Sequence, residues 1–300
     1  MYHGSDATLP DRMDLGPDSL LWRYAGDSRI SFMGSSIGLL QLMHPAIGAG
    51  VIEHSNFFED PADRIFRSLP WILGVVYDED GEATGRAVRG FHKPIKGIDS
   101  SGRRYHALDP ATYWWAHATF QYMAEGVADW WDLRRLTDAR REQLYVEGVE
   151  WYRRYGVSDR GVPPDRAAFQ VEFDRVCTEV LEMNEAVEFV LEVLNGRPLP
   201  PSRSGPRLPA PIQALLGWGP TGAAFTRANR LAAVGGLPRI VRERFDIPWS
   251  WRDACDLRML EVGVRNGWRF VPRELAWQPK ALEGWDRVRA QAALTTGVDR

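Results

Sequence analysis

Two Asp-Pro pairs constrain this chain more than any other feature. Asp60-Pro61 opens a run with apolar residues at Ile65, Leu69, Ile72 and Val76. Asp109-Pro110 opens another with Tyr113, Trp114, His117, Phe120 and Gln121. The aspartate can cap the free N–H groups of a first turn, and proline at the first helical position lacks a donor that would be orphaned anyway. Spacings of three and four then keep the apolar side chains on one helix face. Further helices are expected near 17–25, 81–96, 137–154, 165–182, 185–194, 210–230, 237–244, 250–267 and 281–292. Pro70 should kink the helix over 61–77 or start a new segment. No stretch alternates apolar and polar residues long enough to predict a strand, and Asp80-Gly81 and Ser101-Gly102 read as turns between helices. The expected fold class is all-α, a single large multi-helix domain over residues 17–292. Residues 1–16 form a flexible N-terminal segment, 196–211 a proline-rich crossing, and 293–300 a flexible tail.

Composition narrows the partners. A net charge of -3 leaves no basic footprint for nucleic acid, and two cysteines exclude a disulfide scaffold. The most apolar stretch, residues 31–52, has the length of a membrane span, but His44-Pro45 divides it. It reads as a buried hairpin of two short helices, with peripheral membrane contact left open. The opening stretch is acidic, with no basic start followed by an apolar core, and this points to a cytoplasmic protein. HExxH, ExxH and GxxxxGK[ST] are missing from the sequence, and no GxGxxG follows an expected strand.

Histidines carry what chemistry remains. Arg89, His92 and Lys96 share a face of the helix expected over 81–96. A histidine so flanked suits an axial ligand to haem iron, with the cations meeting propionates, or an ordinary core-edge histidine. Arg64, Arg67 and Ser68 share a face of the helix over 61–77. They read as an anion-binding or oxygen-activating surface, or as a solvated stripe. His117 reads as a hydrogen-bonded core histidine and His44 as a structural cap before Pro45.

Several segments, taken in order, resemble the family of the latex clearing protein (the bacterial rubber oxygenase) and the fungal endoplasmic-reticulum oxygenase of mycophenolic acid synthesis. They are residues 43–51 with His54-Ser55, Asp60-Pro61 with Arg64, Arg67 and Ser68, and Val88-Arg89-Gly90-Phe91-His92 with Gly97. Then come Tyr105 to Asp109-Pro110, Trp115 to Thr119, and Gly236 to Trp249. The resemblance runs from about Leu20 to about Arg289. It implies a globin-like helical core holding haem b, with His92 as the axial iron ligand. It also implies that Arg64, Arg67 and Ser68 line the opposite side, where the rubber oxygenase carries Arg-x-x-Lys-Thr. Arg67 replaces that lysine and Ser68 that threonine. Arginine stays protonated and cannot coordinate iron, so the exchange separates this chain from rubber cleavage. The implied activity is oxygenation, by dioxygen or peroxide, of a small apolar substrate of isoprenoid or alkene character. His54 or His117 would be candidates to move protons. A helical haem- or lipid-binding protein without turnover is the alternative, and the sequence sets no oligomeric state.

Overall fold

A computed structural model describes residues 9–198 and 219–297. Its centre is the helix α2 (Ile30–Leu42), which follows a single turn of helix, α1 (Leu20–Tyr24), capped by Ser19. Ile30, Met33, Ile37 and Leu40 fall at helical spacing and are all buried, and Ser36 and Leu39 are buried on other sides. A helix that is apolar nearly all round belongs inside a core. At Met43 the chain bends by 98° into α3 (Pro45–His54), which Pro45 starts. This is the expected hairpin. Among the described residues no single helix is long and apolar enough to cross a membrane, although the bent pair passes by length and composition.

Asp60 accepts from the N–H of Asp63 and starts α4 (Pro61–Tyr77). The helix runs through Pro70 without starting a new segment, so only the carbonyl of Phe66 loses its helical donor. Asp80 caps α5 (Gly81–His92), which folds back along α4. Gly85 permits the close approach of α5 to the backbone at Arg154, because a Cβ there would fall 2.2 Å from the Arg154 carbonyl oxygen.

Two expectations fail here. The helix over 81–96 ends at His92, because Pro94 has no N–H to continue the ladder. Strands also exist, where none was expected. β1 (Lys96–Ile98) and β2 (Arg104–His106) pair antiparallel, with Lys96 opposite His106. The Ser101-Gly102 turn therefore joins two strands rather than two helices. Asp99 holds it by accepting from the N–H groups of Ser101 and Arg103, and Gly102 supplies φ +78°.

Asp109 caps α6 (Pro110–Gly126), the partner of α2 in the core. Trp115 donates its indole N–H to the Leu40 carbonyl at 3.0 Å, and Gln41 bonds the Ala116 carbonyl and Thr119. After a π-helical turn over Val127–Trp131, α7 (Asp138–Arg154) crosses α6. Next come α8 (Arg166–Arg175), a second π-helical turn to Val180, and α9 (Glu185–Leu194). Beyond the proline-rich segment follow α10 (Gly219–Gly235), α11 (Arg239–Arg244) and α12 (Trp251–Gly267). The short α13 (Arg273–Ala276) and α14 (Pro279–Gly297) complete the chain. Residues 199–211 of the expected crossing, residues 1–8 and residues 298–300 lie outside the described residues. The fold is a single all-α domain carrying one small hairpin.

Candidate functional site

The turn Asp78–Asp80 joins the end of α4 to the start of α5. Residues near the start of α4 therefore lie beside the end of α5, and His92 and Arg64 meet there. The Nδ1 of His92 lies 2.8 Å from the Val88 carbonyl oxygen. A carbonyl can only accept, so Nδ1 carries the proton and Nε2 keeps its lone pair. Nε2 makes no hydrogen bond to a described residue. The ring stands edge-on to Tyr113, with centroids 5.5 Å apart. Burial lowers the pKa of His92, the bond to Val88 opposes this, and the Arg64 charge adds to the lowering. The imidazole is therefore neutral at pH 7, oriented, and open at one nitrogen, which is the form that binds a metal.

Arg64 is half-buried and makes no hydrogen bond or ion pair with a described residue. Burial, then the neighbouring Arg67, lowers its pKa. Arg67 differs from it. It is exposed and paired with Asp63 at 2.6 Å, one turn back on its own helix. Ser68 is exposed on the same stripe. Around these groups lie large apolar side chains that the fold does not cover. Ile65 is 61% exposed, Trp71 45% and Phe91 53%, and the last two rings touch edge to face at 5.1 Å. Such a patch beside a free imidazole nitrogen and an unpaired guanidinium fits a large, flat, apolar and anionic group such as haem. Haem needs only one protein ligand. Among the described residues no group of three or more His, Cys, Asp or Glu side chains is placed to hold a bare metal ion.

The other expected residues go elsewhere. Lys96 does not share the face of Arg89 and His92, because it sits exposed on β1 beyond the helix end. Arg89 donates to the Gly156 carbonyl, so it ties α5 to the turn after α7. His54 lies beside Glu53 and Tyr105. His44 occupies the cap position of α3, but its side chain makes no cap bond and stacks against Trp115. Trp71 was missed by the sequence reading, although it falls three residues after Ser68 and seven after Arg64 on the same stripe.

His117 is a core residue. It is 2% exposed, its Nε2 donates to the Gly148 carbonyl at 2.8 Å, and Trp114, Trp151, Tyr152 and Tyr155 surround it. Burial lowers its pKa to about 4. The unfolded chain therefore binds a proton near pH 6.5 that the folded chain refuses until about pH 4. Stability attributable to His117 is complete above pH 6.5 and is lost as pH falls toward 4, by about 3 kcal/mol. Urea midpoints at pH 7 and pH 4.5 should show this fall, and His117→Phe should shrink it whatever its absolute stability, leaving the part due to His44, whose pKa burial also lowers to about 4.

The family model described as ER-bound oxygenase mpaB/B'/Rubber oxygenase, catalytic domain, matches residues 22–266 of the chain. No curated protein and no solved structure matches it.

Proposed function

The chain belongs to the family of ER-bound mpaB/B' oxygenases and rubber oxygenases, and from that premise we propose a haem b-dependent oxygenase with His92 as the axial iron ligand. Its co-substrate is dioxygen or peroxide, and its substrate a small apolar molecule of isoprenoid or alkene character. One observation carries the reading. The free Nε2 of His92 opens beside an unpaired Arg64 and an uncovered apolar patch of Ile65, Trp71 and Phe91.

Haem, when bound, supplies the redox iron that activates oxygen. The protein's own part is fixed by its side chains. Val88 orients the His92 ring and sets its tautomer, and burial keeps it neutral. Tyr113 holds the ring edge-on. Arg64 offers a permanent positive charge in a partly desolvated place, where it stabilises a neighbouring anion more than it would in water. Arg67 contributes less, because Asp63 neutralises it. Ser68 adds a hydroxyl donor on the same stripe. Ile65, Trp71 and Phe91 offer apolar surface that a bound apolar group would cover. Arg89 acts through position alone, by fixing α5 to Gly156. The lipid- or haem-carrier alternative shares the binding patch but has no use for Arg64 in turnover.

Oxygen uptake by haem-loaded protein, with a panel of isoprenoid and aromatic alkenes, tests the enzyme reading. Arg64→Ala should retain haem and lower uptake by about a hundredfold to a thousandfold, the range for losing one stabilising donor. Arg67→Ala should change it far less. Equal rates for wild type and Arg64→Ala, or no uptake with any alkene by spectroscopically intact protein, would overturn it.

A further inference from the structure

A second uncovered apolar surface lies on α12, away from the site. Trp251, Cys255, Met259 and Val262 stand at i, i+4, i+8 and i+11, so they form one stripe. All four are exposed, Trp251 at 72%. Phe270, 75% exposed, continues the stripe on the 3-10 turn that follows the helix. The opposite face is committed to the core through Asp253 and Leu257, and a capping box of Ser250 and Asp253 fixes the start. The stripe is therefore a permanent outward face.

Its borders are cationic. Arg252 lies over the Trp251 ring at 5.5 Å and Arg269 over the Phe270 ring at 4.8 Å. Neither makes a hydrogen bond or ion pair with a described residue. Along the adjoining face, Ala254, Arg258, Glu261 and Arg265 border a pocket of about 390 Å³ completed by residues from the end of α6 to α7. That pocket holds four guanidiniums (Arg135, Arg141, Arg258 and Arg265) against two carboxylates. Asp129 is taken by Arg141, and Glu261 is shared by Arg258 and Arg265. Arg135 has no partner among the described residues.

We propose that α12 docks this protein on an anionic phospholipid surface, with Trp251, Met259, Val262 and Phe270 entering the acyl boundary. Arg252, Arg269 and the unpartnered Arg135 then meet lipid phosphates, while Arg141, Arg258 and Arg265 stay committed to Asp129, Trp130 and Glu261. An amphipathic helix lying in the interface needs this combination of an apolar stripe, flanking arginines and an aromatic anchor. A second copy of the chain fits the stripe poorly. Antiparallel pairing of two α12 helices would set Arg252 of one against Arg269 of the other, both positive.

Flotation of the full chain with vesicles tests this. The protein should float with phosphatidylcholine vesicles containing about one-third phosphatidylglycerol, and not with phosphatidylcholine alone. Added salt should weaken the binding. Arg252→Gln and Arg269→Gln should each lower the partition coefficient about fivefold. Met259→Glu should abolish flotation, while Val171→Glu, the same type of change on α8, should not. Haem uptake should be unaffected by Met259→Glu, which separates this surface from the His92 site. Failure of the wild type to float on anionic vesicles would overturn the proposal. So would flotation indifferent to Met259→Glu, or a dimer that Met259→Glu dissociates while the wild type ignores vesicles.

Discussion

Replacing His92 with alanine should abolish haem retention while leaving the helical content unchanged. His92 is half-buried at the end of α5, and the adjoining chain is held by other groups. Arg89 anchors the helix to Gly156, and Gly85 packs on the end of α7. Loss of the imidazole therefore removes a ligand more than a structural contact. His106→Ala should retain haem, because the His106 ring only donates to the Lys93 carbonyl at 3.2 Å on the hairpin. His92→Gly supplemented with free imidazole should recover the absorption band, since a neutral imidazole can fill the space that the side chain left. A merely structural role for His92 would not yield that rescue. The neutral form is required, so retention should persist below pH 6.5 and fail only when His92 protonates at its lowered pKa.

The second large effect concerns the fold. Asp27 and Arg29 are 4% and 6% exposed and form a bidentate pair, with contacts of 2.6 to 3.1 Å. Arg29 also donates to the Trp131 carbonyl at 2.6 Å and lies over the Trp268 ring. Its neighbours Ser28 and Asp27 bond backbone to backbone with Ala276 and Trp277. One guanidinium thus joins the start of α2, the π-helical turn after α6 and the 3-10 turn after α12. Arg29→Met should cost about 3–5 kcal/mol, because Asp27 is left charged and buried without its cation, keeping only the bond from the residue-29 backbone N–H. Adding Asp27→Leu should recover part of that loss, because the uncompensated charge goes with it. Denaturant titration of the two variants measures both, and additive losses would contradict the argument.

Local chemistry was readable from the sequence and distant chemistry was not. The caps Asp60 and Asp109 act within three residues, so their helices were expected where they form. The β hairpin escaped notice because strands of three residues show no alternation. What holds them is distant, including the bond from Tyr105 to Glu53 across half a hundred residues. Lys96 was misplaced for a local reason, since Pro94 already marks the helix end. The difference between Arg64 and Arg67 was not legible in the sequence, because each has an aspartate four residues before it; in the fold Asp63 pairs with Arg67, whereas Asp60 serves as the cap of α4. Likewise, nothing near Arg89 points to Gly156, and nothing near Arg29 points to Trp131. Those partners exist only after the helices pack.

The proposed site turns on a single ligand, and haemin titration of the purified chain followed by absorption spectroscopy tests it most directly. The open Nε2 of His92 beside Arg64 and the apolar patch predicts saturable uptake of one haem per chain, with a sharp Soret band that shifts on reduction and is absent in His92→Ala. A colourless protein that leaves added haemin with the spectrum of the free compound, or a band that survives His92→Ala unchanged, would contradict it.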